Sequence, residues 1–288
     1  MTPPARGAGP GRALAAAAGL ALAAGAALAA APAAAALAEA GPAAAGAGPG
    51  LPWPAVAGLA VLAALLSLDD TAFAQTWLSQ PLPTGILAGA LCGDPATGLA
   101  VGLPFQLITM GNLPVGQTFT GEKVGAVIAA VGATVLTGNR LAPLGQAAPA
   151  EAAGLLGWVL TAATLFSLAG NGVVQIERRT HFLWMLEGHR SLWDGRLGRL
   201  ERLQARCLAA TALRGVVLSL GWLIFMVGLW LPLYAHLPAR AVRALALLPL
   251  LVPPLAVAAL VDLYGLRAAW KWIGGSLAAA VSLAIWLD

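Results

Sequence analysis

The chain has 288 residues, of which 59% are hydrophobic and 10% charged, with a formal net charge of +4 and a mean hydropathy of +0.82. A soluble domain carries about 25% charged residues, so composition excludes an ordinary soluble fold. The strand-like alternation over roughly ten residues that a membrane barrel needs is not visible. Apolar runs long enough to cross a bilayer core of about 30 Å recur instead, and the expected class is an all-α polytopic membrane protein with about seven to nine hydrophobic segments.

Residues 1–50 are nearly all Ala, Gly and Pro, with Arg6 and Arg12 ahead of an apolar run from Ala13 to Leu37. That order fits a signal-like segment; a low-complexity extension or a translation start set too early in a GC-rich gene fits as well. This stretch is set apart from a membrane domain expected over residues 51–288.

Hydrophobic segments follow at about 54–68, 82–93, 95–112, 122–138, 152–176, 213–236, 241–261 and 266–287. The pair 82–93 and 95–112 is short for a span, and Gly and Pro interrupt it, as in broken or re-entrant helices. Gly85, Gly89 and Gly93 recur every four residues, as do Gly98 and Gly102. That spacing predicts flat strips where another helix can approach closely. Between the arms, Asp94 followed by Pro95 matches a helix start, with Asp as cap and Pro at the first helical position.

From Ile176 to Gly215 the chain is charged, and half of its sixteen basic residues lie between Arg178 and Arg214. Leu197, Leu200 and Leu203 mark an apolar line and Arg196, Arg199, Arg202 and Arg206 a basic one, predicting an amphipathic helix on the membrane surface. The basic excess places this loop in the cytoplasm. It therefore reports topology and not nucleic-acid affinity. Further on, "AALVDLYGLRAAWKWIGG" sets Asp262 between apolar arms, a faint counterpart of the Asp94 region that raises a possible inverted repeat.

The two cysteines and three histidines form no metal-ligand spacing, and neither a nucleotide-binding loop nor a nucleophile elbow is present. No catalytic residue, metal or cofactor is expected. Polar residues at membrane depth are the candidate site instead: Asp69, Asp70, Asp94, Gln106, Asn112 and Glu122, with Gln75, Gln80, Gln117 and Lys123 nearby. An intramembrane carboxylate is costly and faces a cavity or a partner. Asp, Asn and Gln together supply the donors and acceptors that a sugar's hydroxyls need. Each has a structural reading too: Asp69 and Asp70 as interfacial groups, Asp94 as a cap, Glu122 with Lys123 as a surface pair.

The stretch "LDDTAFAQTWLSQPLPTGILAGALCGDPATGLAVGLPFQLITMGNLPVGQ" resembles the IIC subunit of the mannose/sorbose-type sugar phosphotransferase system. The resemblance rests on an acidic pair after the first span, then "QPL", "GD-x-x-x-G", an apolar run holding a polar residue, and "MGNLPVG". It implies a membrane permease subunit in the bacterial cytoplasmic (inner) membrane that forms the path of a hexose-type sugar with a IID subunit, in an oligomeric assembly. A separate phosphorylated IIB subunit would deliver the phosphoryl group, so this chain would carry no phosphoryl chemistry of its own.

Two departures stand out. Where the family commonly has Arg before Pro-Leu, this chain has Gln80, and where it commonly has Glu in the following apolar run, this chain has Gln106. Losing one member of a buried ion pair costs about 3–5 kcal/mol whereas losing both can be nearly neutral, so the double change predicts that the two positions meet in the fold. The neutral pair also opens an alternative function: a diverged, non-transporting IIC-like membrane component with an assembly or regulatory role.

Overall fold

The computed structural model describes residues 52–71, 75–109, 121–139, 141, 150–264, 274–275 and 278. Among these residues four helices are long and apolar enough to cross a membrane, and three shorter apolar helices accompany them. In chain order they are α1 (Trp53–Thr71), α2 (Pro81–Leu91), α3 (Pro95–Ile108), α4 (Val124–Leu136), α5 (Ala150–Trp193), α6 (Leu197–Phe225, continued by Met226–Trp230 and Leu231–Tyr234) and α7 (Ala239–Tyr264). The predicted segment 266–287 and residues 1–50 lie almost wholly outside the described residues.

The short pair forms as its sequence requires. Pro81 opens α2, Gly93 at φ +85° turns the chain, and Asp94 with Pro95 starts α3. At 11 and 14 residues, the arms measure about 16 and 21 Å at 1.5 Å per residue, less than the hydrocarbon core. They form a hairpin of broken-helix type, and its seam is glycine. A methyl group at Gly89 would sit 2.5 Å from the Asp94 carbonyl oxygen, and one at Gly102 would sit 2.8 Å from that of Pro81. Gly85 and Gly98 face each other in the same way. Gly93 differs from the rest of its series, since it is needed for its positive φ and has nothing near its missing side chain.

Helix α4 is the axis of the molecule. Every residue from Val124 to Thr134 is buried, as expected of a helix apolar on all sides. Leu59 of α1, Val159 and Leu160 of α5, and Leu223 and Met226 of α6 join it in one core. In α6 a π-helical turn precedes Pro232, and the Leu231 amide reaches back to the Met226 carbonyl. Proline cannot donate the helical bond at that point. Beside the turn the Trp158 and Trp230 rings stack with centroids 4.1 Å apart, and each indole N–H donates to the other's backbone carbonyl at 2.8 and 3.1 Å.

Two expectations change here. The charged stretch does not leave the helices to lie flat on a surface: α5 is continuous over 44 residues, about 66 Å, and α6 begins just past the Gly195 turn, so the stretch is a helical hairpin continuing both helices. Leu203 is buried and Leu200 half-buried, and a methyl at Gly188 would come within 3.1 Å of Leu200 Cδ1. Most of the leucine line thus closes the hairpin. Asp262, for its part, lies in the last turn of α7 and not at a helix start as Asp94 does; the arm after it, from residue 265, lies almost wholly outside the described residues.

Candidate functional site

The hairpin has two ends, and they carry different polar groups. At the open end, Gln106 in the last turn of α3 reaches the start of α2. Its Oε1 accepts from the Leu82 amide at 3.4 Å, and its Nε2 donates to Gln80 Oε1 at 3.5 Å. The Leu82 N–H is one of the first-turn amides that a helix leaves unsatisfied, so Gln106 caps α2 from the neighbouring helix. Both bonds are long. The two positions that depart from the family pattern are thus in contact, as the double replacement predicts.

The loop leading into α2 is held by Asp69. This buried carboxylate accepts from Thr76 N and Thr76 Oγ1, both at 2.7 Å, and from Ser79 N at 3.1 Å. Within that loop Gln75 and Trp77 adopt φ of 51° and 70°, left-handed conformations that cost non-glycine residues of order 1–3 kcal/mol each. The three bonds to Asp69 offset that cost. Asp70, the next residue, is exposed at the same end of α1.

Asp94 occupies the closed end of the hairpin. It accepts from Thr97 N at 3.0 Å and Thr97 Oγ1 at 2.7 Å, as the cap of α3. Leu91 beside it packs near Gly58 at the start of α1. Twelve residues of rise separate Asp94 from Gln106, about 18 Å along the helix, so one small sugar cannot touch both.

Glu122 and Lys123, read from sequence as a possible surface pair, are both buried, 3% and 6% exposed. Small residues cause this. A methyl at Gly170 of α5 would sit 2.8 Å from Glu122 Cβ, and the Glu122 amide donates to the Ser167 carbonyl at 3.1 Å. Glu122 Oε1 accepts from Gly125 N at 2.9 Å. Its Oε2 is buried with no hydrogen-bond partner among the described residues, and so are Ser67 Oγ, Asn171 Oδ1 and Ser219 Oγ.

Beside them Glu177 of α5 meets Arg214 of α6, with Oε2 2.5 Å from Nε, and Glu177 Oε1 accepts from Thr211 Oγ1 at 2.5 Å. Arg214 exerts an attraction on Glu122 and Asp70, and Lys123 on Asp70, which ties these charges into one neighbourhood.

The structure therefore gathers Asp69, Asp70, Gln106 and Glu122 at one end of the bundle and separates Asp94 from them. Asn112 and Gln117 lie outside the described residues. Sequence reasoning missed Ser167, Asn171, Glu177 and the role of Arg214. The available signal was a Glu and an Arg at the two edges of the charged stretch, each bordering an apolar run.

These elements define a polytopic helical membrane protein built around a paired broken helix. Residues 55–285 match the sequence model of the family described as "PTS system sorbose-specific iic component". The chain belongs to that family, whose members are transporter subunits and not catalytic domains; membership implies other components of the phosphotransferase system. A solved chain described as "Structure of membrane protein" shares the fold, with a TM-score of 0.59 and 17% identity over 80% of this chain and 90% of that one. The search of curated proteins gave no match.

Proposed function

We propose that this chain is the sugar-translocating permease subunit of a mannose/sorbose-type phosphotransferase system. It works in the bacterial cytoplasmic membrane with a IID membrane subunit and a phosphorylated IIB subunit. The observation that carries this reading is the polar end of the bundle, where Glu122 Oε2 and Asn171 Oδ1 are buried acceptors without partners among the described residues and two serine hydroxyls share their condition. Unsatisfied buried groups are rare and need an explanation, and the hydroxyls of a hexose, each both donor and acceptor, would satisfy them.

In this reading Glu122, Asp70 and Gln106, with Asn112 from the following segment, contact the sugar. Asp69 shapes the entry loop. Asp94, with lone pairs beyond the two bonds it accepts, serves the far end of the path and not the same subsite.

The test is uptake of labelled mannose, glucose and related hexoses by cells expressing this chain with its IID and IIB subunits. Uptake dependent on Glu122 is the expected result; no uptake with all three subunits folded and assembled would overturn the proposal. The neutral Gln80–Gln106 contact favours the second reading, a non-transporting component, and that outcome would support it.

A further inference from the structure

The loop that enters α2 has a tied backbone and untied side chains. Asp69 holds the amides of Thr76 and Ser79. The Trp77 carbonyl accepts from the Gln80 amide at 3.0 Å, and the Leu78 carbonyl accepts from Thr84 Oγ1 of α2 at 2.9 Å. Four consecutive residues are thus each fixed through a backbone group. Their side chains are another matter: Gln75, Trp77 and Leu78 are exposed, Trp77 by 76%. A bulky aromatic residue at φ 70° is a backbone outlier.

Nothing in the fold repays that strain. Among the described residues the Trp77 ring stacks on no other aromatic. Trp53, at the far end of α1, is equally exposed at 79%, but it opens the helix and has the place of an interfacial anchor. An anchor needs a ring at headgroup depth and no left-handed backbone. Strained residues over-determined by their surroundings belong instead to ligand clamps, where a side chain must be aimed in advance.

We propose that Trp77 is the platform on which the sugar ring stacks, so that the substrate is a hexose taken in its closed pyranose form. This rests on the permease function proposed above. One face of a pyranose presents weakly positive C–H groups, which the negative face of an indole attracts. The hydroxyls at the ring's edge stay free for hydrogen bonds. Gln75, aimed by its own left-handed backbone, offers an amide that both donates and accepts. Trp77 stands three residues before Gln80, which meets Gln106, so the platform belongs to the end of the bundle where the polar groups gather. Because the backbone is already fixed, little freedom is lost when the sugar arrives. An open-chain hexitol has similar hydroxyls but no flat C–H face, and the platform discriminates against it.

The test measures binding of labelled mannose, glucose, galactose, fructose and sorbose to the full chain assembled with its IID subunit in phosphatidylcholine nanodiscs. Uptake kinetics in cells that also hold the IIB subunit are measured beside it. W77A should weaken binding and raise KM by about five- to tenfold while the maximal rate stays within about twofold, as loss of a ground-state contact requires. W77F and W77Y should recover most of the affinity. W77L, apolar but without a π face, should not. The methyl pyranoside of the best-bound hexose, whose ring cannot open, should compete, and the hexitol made by reducing that hexose should not.

A wild-type assembly that binds and carries none of these hexoses would overturn the permease function and the platform with it. Binding by the wild type that W77A and W77L leave unchanged would overturn the platform alone. Full recovery in W77L, or competition by the hexitol equal to that of the pyranoside, would do the same. So would a W77A variant whose amount in the membrane falls while KM is unchanged, since Trp77 would then be an anchor in the lipid interface.

Discussion

Gln106 Nε2 points at Gln80 Oε1 across 3.5 Å, while its own Oε1 faces the Leu82 amide. The geometry suits a carboxylate at 106 and a cation at 80 just as well, because the carboxylate would accept from Leu82 and pair with the cation. It also implies an asymmetry. A negative charge at 106 would sit at the N-terminus of α2, where the helix dipole favours it, whereas a positive charge at 80 would face the same dipole unfavourably. Gln80→Arg alone should therefore destabilise more than Gln106→Glu alone. The double variant should recover stability through a coupling of about 0.5–3 kcal/mol. Thermal unfolding of the four proteins in one detergent checks this, and additive effects would show that the pair is not coupled.

Asp69 makes a different kind of contribution, because its three bonds organise a loop and not a helix–helix contact. Asp69→Asn keeps the shape but loses the charge assistance and turns one acceptor into a donor aimed at N–H groups. A loss of about 2–3 kcal/mol is expected. Freed from Asp69, the Gln75–Trp77 turn should relax from its left-handed conformations, so proteolysis should cut between residues 75 and 79 in the variant and not in the wild type. An uncut loop would mean that other contacts hold it.

Much of the hairpin was legible because its causes are local. Asp94-Pro95 is a helix start wherever it occurs, and glycines at four-residue spacing mark a close seam. The continuous course of α5 was hidden because falling hydropathy after Ile176 resembles a loop. Residues 177–193 nevertheless contain no proline, and the stretch is braced against α6 by contacts that sequence does not advertise, such as Glu177 with Arg214 and Glu187 with Arg199. Burial of Glu122 was hidden for another reason. It depends on Gly170, 48 residues along the chain, leaving room for its side chain, and nothing near "GEK" announces that. Likewise, the tie between Gln80 and Gln106 came from comparison with a family pattern and not from the local sequence.

The glycine seam gives a graded prediction. Gly85→Ala and Gly98→Ala each place a methyl group against backbone, which cannot turn away as a side chain can. Overpacking of this kind costs about 1–3 kcal/mol, and the arms should separate at the open end, loosening the Gln80–Gln106 contact. Gly93→Ala meets no atom but must hold φ +85°, at about 1–2 kcal/mol. Gly172→Ala and Gly221→Ala, in helices with open space around them, should be neutral or slightly stabilising. Melting temperatures of the five variants should rise in that order, and equal losses at Gly85 and Gly172 would contradict the close approach.

Glu177 and Arg214 are a nearly buried pair, with side chains 12% and 7% exposed, joining the long helices where they leave the core. Removing one partner strands the other's charge. Glu177→Gln or Arg214→Met alone should therefore cost about 3–5 kcal/mol, while replacing both with apolar residues of similar volume should be far milder. The two functional outcomes differ. Arg214 also attracts Glu122 and Asp70, so the double variant E177L/R214M would restore stability yet take from Glu122 the attraction of Arg214 and leave Asp70 to Lys123 and Arg178. If Glu122 contacts the sugar, this stable double variant should show altered uptake. Uptake kinetics measured beside the melting curve separate the two effects: stability and uptake restored together would mean that the pair only braces α5 against α6.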